Sequence, residues 1–477
     1  MRKHADDLGL LILALWLVLA AACGSDDAEA TAGGDVDLAA AIEAEGFDVA
    51  EGRNIPFAFP EDCAALPSCY SGNSTSPYAF FGVPPAPGAA PLSDVGGFET
   101  AEDGVAVAFQ LRPDEVVIYT GRTSPRAAYF SYAPYLFGRH DNGTLVDLFA
   151  SLGDALNQTN IAVGDADSPF GAEVAVIVTA HAGLAERAKG WLTDAGIDPD
   201  QQNLMVLPSD IARLGDEPGV SDVLLVLQRF ALFDDPEEGQ AYLDAPTARV
   251  LRITPEQPLE PDPIATPPRV MRTSGNSESH LSAALDELEQ AIQQAHGSGG
   301  EVIELLSAQG VGLAIEPQRC IDNLTPCQGE VSDTTYSAGP RSFIIGQTPN
   351  RLAADSGDYF MIYGVNHEAT GNAIYSNVVV QNANRQAGIA ALTSREMAGS
   401  TDAYLPDHPD ADQLFAAKVA RDCAQQDHCI EVPTGFPGID PDEDIMFLGR
   451  SYIKPGTSVA PAASDLLTER VLRFAAP

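Results

Sequence analysis

The chain has 477 residues, 45% of them hydrophobic, with 26 basic against 68 acidic residues and a formal net charge of -42. A body this acidic repels a phosphate backbone, which speaks against nucleic acid as a partner, and it is equally unsuited to docking on anionic lipid by charge. The apolar fraction is enough to fill real cores, and a mature chain of about 450 residues exceeds what one hydrophobic core usually organises.

At the N-terminus, Arg2 and Lys3 precede an apolar run from Leu8 to Ala22. That run has the length of a signal h-region and is too short to span a bilayer comfortably as a helix, so residues 1–22 are expected to be a signal peptide. Asp6 and Asp7 offset the positive start. The run ends in Leu19-Ala20-Ala21-Ala22-Cys23-Gly24, which resembles the bacterial lipobox, in which small residues precede a cysteine that takes the lipid. Ala20 stands where that family prefers Leu, so an ordinary small-x-small cleavage before Cys23 also fits, and with it simple secretion. The resemblance implies lipidation of Cys23. Residues 23–37 have no apolar side chain larger than Ala before Val36, as a flexible tether would. The expected product is a lipoprotein on the extracytoplasmic side of a membrane, held there by its lipid.

Six further cysteines fall in close pairs: Cys63 with Cys69, Cys320 with Cys327, and Cys423 with Cys429. Loops this short close far more easily than long-range ones, and no spacing is the two-residue knuckle of a structural zinc site. An oxidising compartment then predicts three local disulfides, which pin local geometry more than they stabilise the whole fold.

Six prolines between Pro255 and Pro268 mark a linker over 253–269, dividing the chain into a first lobe over 38–252 and a second over 270–477. The fold class expected is α+β, mixed α/β in two lobes. In the first lobe, residues 105–111, 115–120 and 127–137 read as strands. Leu145, Leu148, Phe149, Leu152 and Leu156 share a helical face, so a helix is expected there. A strand over 173–179, a helix over 184–195 stopped by Gly196 and a short apolar run over 204–207 suggest a βαβ unit. In the second lobe, Leu281, Leu285, Leu288 and Ile292 predict a helix closed by Gly297, and 301–309 a second one closed by Gly310. Strands over 341–346, 358–364, 373–380 and 446–453 then predict a mainly antiparallel sheet beside that helical pair.

No G-x-S-x-G, Walker loop, complete G-x-G-x-x-G or H-E-x-x-H is present. The sharpest cluster is Asn366-His367-Glu368-Ala369-Thr370-Gly371-Asn372, expected as a hairpin loop, where a His beside a carboxylate suits metal ligation or general-base work. His367 with Glu368 or Asp333 is the candidate catalytic set. An echo in the first lobe runs from Tyr129, Tyr132 and Tyr135 into His140 and Asp141; Tyr129, Tyr132, His140 and Arg450 are candidate ligand contacts, the tyrosines suiting a sugar or planar ligand if they face solvent. Asp440, Asp442 and Asp444 alternate as in a loop for a divalent cation such as calcium, although Ile445 and Ser451 stand where an EF-hand needs Gly and Glu. The leading functional expectation is ligand binding between two lobes; the alternatives are a hydrolase, metal-assisted through His367, and a surface scaffold.

Overall fold

The computed structural model describes residues 37–474, apart from 58–62, 64–68, 70–71, 93–94, 96–97, 99, 102, 245, 298–300, 305, 308–315, 340–349 and 354–356. The export segment, Cys23 and the strand expected over 341–346 lie outside the described residues. Asp37 caps the first helix, α1 (Leu38–Glu43), its carboxylate accepting from the backbone of Ala39. Ten strands follow before the proline-rich stretch: β1 (Phe47–Phe57), β2 (Tyr78–Gly82), β3 (Val116–Arg122), β4 (Ala127–Asp141), β5 (Thr144–Ser151), β6 (Leu156–Asn157), β7 (Glu173–Thr179), β8 (Gln202–Val206), β9 (Val223–Phe233) and β10 (Arg249–Pro255).

These ten form one sheet in the order β5-β4-β9-β2-β1-β10-β3-β7-β8, with β6 on β4. The sheet curls. Phe81 on β2 stacks on Tyr119 of β3 at 4.7 Å, and Tyr119 meets Tyr132 of β4 at 5.8 Å, although β3 and β4 stand far apart in the strand order. Curling buries both faces of β3, β4, β7, β9 and β10 over most of their length, which is why those strands read as near-continuous apolar runs. On the outer face α1 and α2 (Ala182–Asp194) cover Val116, Ile118, Ile177, Leu251 and Ile253. Gly196 takes φ +89° just beyond α2, as a helix stop must, and β7 and β8 on either side of that helix pair in parallel. A short helix, α3 (Pro236–Asp244), leads into β10.

After the proline-rich stretch comes α4 (Ser282–His296), and then ten strands in two five-stranded sheets. β11 (Glu301–Glu304), β14 (Tyr359–Val365), β17 (Leu414–Ala420), β18 (Cys429–Glu431) and β20 (Arg470–Phe474) form one, in the order β11-β20-β14-β17-β18. β12 (Leu306–Ser307), β13 (Thr334–Gly339), β15 (Tyr375–Asn382), β16 (Ala387–Thr393) and β19 (Ile445–Tyr452) form the other, in the order β12-β13-β19-β15-β16. Phe360, Ile362, Phe415 and Val419 of the first pack against Val378, Val380, Ile445 and Phe447 of the second, making a sandwich. Leu285, Leu288 and Ile292 of α4 cover the far face of the first sheet at Met361, Tyr363 and Leu472. The chain is thus mixed and sheet-rich, and the described residues fall in one compact unit.

Four sequence expectations about elements are corrected. Residues 145–156 are not a helix: Asn142 (φ 48°) and Gly143 (φ 81°) make a tight turn and the chain returns as β5 against β4. Leu148 and Ala150 enter one core while Leu145 and Phe149 enter another, so burial on both faces imitates a helical stripe. Residues 301–304 and 306–307 pair as strands with β20 and β13 instead of forming a helix. Residues 105–111 make only isolated bridges, Val83 with Ala106 and Phe109 with Leu224. The loop 366–372 is no hairpin, because β14 and β15 lie in opposite sheets and the chain crosses between them.

The six cysteines stand at disulfide distance in the expected local pairs. Cys63 pairs with Cys69 at a Cα separation of 5.0 Å, Cys320 with Cys327 at 5.7 Å, and Cys423 with Cys429 at 5.7 Å. Two of these loops also make contacts beyond their own segment. The Cys69 amide donates to the Arg385 carbonyl at 2.9 Å, and the Cys327 amide donates to the Leu148 carbonyl at 2.6 Å. Cys327 and Cys320 are also buried in the same core as Leu148, so each of these two loops docks on a segment far away in the chain.

The proline-rich stretch lies as a strap over the body. Arg269 donates to the Ser151 carbonyl at 2.6 Å, and Arg272 donates to the carbonyls of Val331 and Thr334 at 3.1 and 2.9 Å. No helix of the described residues is long and apolar enough to cross a membrane.

The sandwich core sets a first test. Phe447→Ala removes a fully buried ring from between the two sheets and is expected to lower unfolding stability by about 3–5 kcal/mol. Phe436→Ala, at a side chain 39% exposed, is expected to move it far less. Urea denaturation of both variants measures the contrast, and equal losses would place Phe447 outside the core.

Candidate functional site

One face of β4 and β9 meets the outer face of the β13-β19-β15 sheet. Strand periodicity decides what each side contributes. β4 supplies Tyr129, Ser131 and Tyr135 and β9 supplies Arg229, while across the junction stand Tyr336, Arg450, Tyr452, Tyr375 and Asn377. Tyr336 and Asn377 are both register partners of Arg450, and Tyr375 is that of Tyr452. The layers of the sandwich join through an apolar core; this junction is polar and aromatic.

Asp333, just before β13, is fully buried. Tyr129 Oη lies 3.0 Å from each of its carboxylate oxygens, and Asn157 Nδ2 donates at 3.2 Å. Burial pushes Asp333 above the usual carboxylate range, against the opposing pull of Arg229 and the Tyr129 hydroxyl. Burial, reinforced by Asp333, holds Tyr129 well above an ordinary phenol. Arg229 donates to the Tyr135 hydroxyl and, at 2.6 Å, to the Gly329 carbonyl. Glu330 accepts from the Ser151 amide at 3.0 Å and from its hydroxyl at 2.6 Å; burial lifts this carboxyl above its usual range too.

Farther along, Asn73 Nδ2 donates to Tyr452 Oη at 2.9 Å, and Asn377 Nδ2 donates to Asn73 Oδ1 at 3.0 Å. Arg450 Nη2 donates to the Gly72 carbonyl at 2.6 Å while its guanidinium sits 5.9 Å from the centre of the Tyr336 ring. Among the described residues, Arg450 Nη1, Asn377 Oδ1 and Gln381 Oε1 have no hydrogen-bond partner. They are three of twelve buried side-chain polar atoms without a partner among the described residues.

His367 belongs to a second cluster. It is 4% exposed, its Nδ1 lies 2.8 Å from Glu278 Oε1, and its Nε2 lies 3.9 Å from Glu469 Oε1. Glu278 also accepts from Thr370 Oγ1, Asn372 Nδ2 and the Leu467 amide at 2.9, 3.0 and 2.8 Å. Burial alone would lower the histidine, but the Glu278 carboxylate, with Glu469 behind it, outweighs that and raises it to about 10. Burial would raise Glu278, yet His367 and the other donors leave it below the ordinary carboxylate value. At neutral pH this is an imidazolium–carboxylate pair, and an imidazolium has no lone pair to take a substrate's proton or to bind a metal.

The sequence candidates are therefore redistributed. Asp333 joins Tyr129, not His367, while the Glu368 carboxylate accepts from the Ser394 hydroxyl. Tyr129, Tyr132 and Tyr135 are each 0% exposed, so none forms a solvent-facing platform; Tyr132 points into the curl against Phe81 and Tyr119. His140 lies at the β4 end near the Asn142–Gly143 turn, its carbonyl accepting from Arg213. Asp440 accepts from the Gly435 amide, Asp444 from Arg351, and Asp442 is exposed; no three His, Cys, Asp or Glu among the described residues group as a metal site. Glu278, Glu330, Glu469, Arg229 and Asn377 escape sequence reasoning. Arg229 leaves a legible signal, a guanidinium in the middle of the apolar run 223–233, where a buried charge demands a partner.

No family model matches the chain, and no curated protein matches it. Among solved structures, an uncharacterised protein from Burkholderia cenocepacia shares 12% identity over 88% of this chain and 81% of its own, at a TM-score of 0.39. The structure titled PNGF-II in C2 space group shares 9% identity over 89% of this chain and 65% of its own, at a TM-score of 0.19. Likenesses this distant carry no argument about fold or activity.

The His367 pair makes stability depend on pH. His367 is raised, so its contribution is complete below its ordinary 6.5 and lost as pH rises through about 10; Glu278 is lowered, so its contribution is present above 4.5 and lost as pH falls. The stability difference between wild type and His367→Gln is expected to peak between those ordinary values and to shrink toward pH 10, by no more than about 1.4 kcal/mol per pH unit. Denaturation of both proteins across that range decides it; a pH-independent difference would rule out a charged His367.

Proposed function

We propose that the protein is an exported, lipid-tethered binding protein whose ligand site lies in the seam between the curled ten-stranded sheet and the sandwich. The observation that carries this reading is the unused hydrogen-bonding capacity of Arg450, Asn377 and Gln381, buried beside tyrosine rings where the two layers meet. Concave, largely preformed sites with a few fixed polar groups are how proteins hold small ligands. The tethered address is supported by cysteine parity. Three pairs close locally, which leaves Cys23 over, and residues 24–35 carry no apolar side chain larger than Ala. Disulfides suit an oxidising compartment. Binding is favoured over hydrolysis because His367, the histidine that stands beside an acid in the sequence, is held as a cation at a site of its own.

Both parts are testable. Mass spectrometry of the N-terminal peptide from membrane-extracted protein is expected to find acyl chains on Cys23, and Cys23→Ser is expected to move the protein to the soluble fraction; an unmodified Cys23 would sink the tether. For binding, thermal unfolding is followed with sugars, amino acids, dicarboxylates and short peptides in turn. At least one class is expected to raise the midpoint in wild type but not in Arg450→Met. Silence from every class overturns the binding reading.

A further inference from the structure

Unmatched donors and acceptors on neighbouring side chains restrict what could meet them. Arg450 is 7% exposed and Gln381 3%. Both close on Gly72: a Cβ there would stand 2.8 Å from Arg450 Nη2 and 3.0 Å from Gln381 Nε2. Arg450 Nη2 is occupied by the Gly72 carbonyl, whereas Nη1 and Gln381 Oε1 have no partner among the described residues. Asn377, the register partner of Arg450, adds a second unused acceptor, Oδ1. Tyr336, under the guanidinium, is the one member of this set that is only half-buried.

The chemistry narrows the occupant. A carboxylate would suit Arg450 but could donate nothing to the amide oxygens. An ammonium group would suit the amide oxygens but be repelled by the guanidinium. A hydroxyl satisfies both sides, accepting from Arg450 Nη1 and donating to Gln381 Oε1. A second hydroxyl on the same molecule would donate to Asn377 Oδ1, and a ring of C–H bonds would lie against the Tyr336 face.

We propose that the Arg450–Gln381–Asn377 cluster is a recognition site for the hydroxyl groups of a carbohydrate or other polyol. This deepens the reading that the seam binds a ligand and rests on it. The experiment is calorimetric titration of the purified full chain with glucose, galactose, mannose, N-acetylglucosamine and glycerol, each separately. Saturable binding of at least one is expected. Gln381→Met keeps the shape but removes the acceptor, and it is expected to weaken that binding about tenfold or more, the equivalent of one hydrogen bond to a fixed partner. Arg450→Lys, which keeps the charge but not the planar fork, serves as the second variant, and an unchanged unfolding transition confirms that each folds. No saturable binding by any of the five overturns the proposal, as does equal binding by Gln381→Met. A crystal soaked with the sugar that holds only a water between Arg450 and Gln381 overturns it too. If an amino acid or dicarboxylate binds instead and Arg450→Met abolishes it, the hydroxyl assignment fails while the seam remains a binding site.

Discussion

The constraint on which the structure turns is the polar junction between the ten-stranded sheet and the sandwich. Elsewhere the layers are joined by apolar contact, which is tolerant and directionless. Here Asp333, Glu330, Arg229 and Arg450 are withdrawn from water, and each must find its partners in the protein. Tyr129, Asn157, Ser151 and the Gly329 and Gly72 carbonyls supply most of them. Removing one partner of such a set leaves a buried donor or acceptor unmatched, which typically costs about 1–3 kcal/mol and more where the group is charged, so the register of the two halves is tightly specified. That specificity carries a desolvation cost, visible in the raised Asp333 and Glu330 carboxyls.

His367 makes the complementary point. A histidine next to an acid in a loop looks reactive in sequence. In the fold it ties together three distant segments: the turn before α4 through Glu278, the crossover from β14 to β15, and the residues before β20 through Glu469. The imidazolium is surrounded by acceptors and consumed by them. Reactivity needs a group whose protonation state is poised and whose lone pair is free; this one is neither. The seam has the opposite character, since its tyrosines and Arg450 look like core in the sequence and yet leave atoms unused.

How much of this is legible in the sequence depends on whether a residue answers to local or distant neighbours. The pairs Cys63–Cys69, Cys320–Cys327 and Cys423–Cys429, the α2 stop at Gly196 and the apolar stripe of α4 are local signals, and each stands where the pattern places it. What Cys69 and Cys327 hold on to is not local: their amides meet carbonyls of Arg385 and Leu148, which no spacing foretells. A helix over 145–156 does not form because β5 is buried on both faces, which erases period-two alternation; the Asn142–Gly143 dipeptide is the stronger signal there, and it is a hairpin signal. The candidate site is less legible still. Tyr129 and Asp333 both stand out as residues, but their pairing spans 204 positions and depends on a sheet junction that no local pattern encodes. Glu278 and Glu469 carry no signature at all, because nothing near them in the chain distinguishes a carboxylate that will meet a buried histidine from the many that stay in water.

The strap over residues 256–277 has a consequence for how the chain is held together. Between Arg269 and Arg272, whose guanidiniums grip carbonyls on opposite sides of the junction, Val270 and Met271 stand 50% and 79% exposed. The covalent link between the two halves is therefore open to solvent, while the contacts that join them are not. A single cut at Met271 would give two fragments that still share the Tyr129–Asp333 and Arg229–Gly329 contacts, so they would remain associated as a complementing pair. The same point is where an inserted domain, or new chain ends in a circular permutant, would disturb the body least.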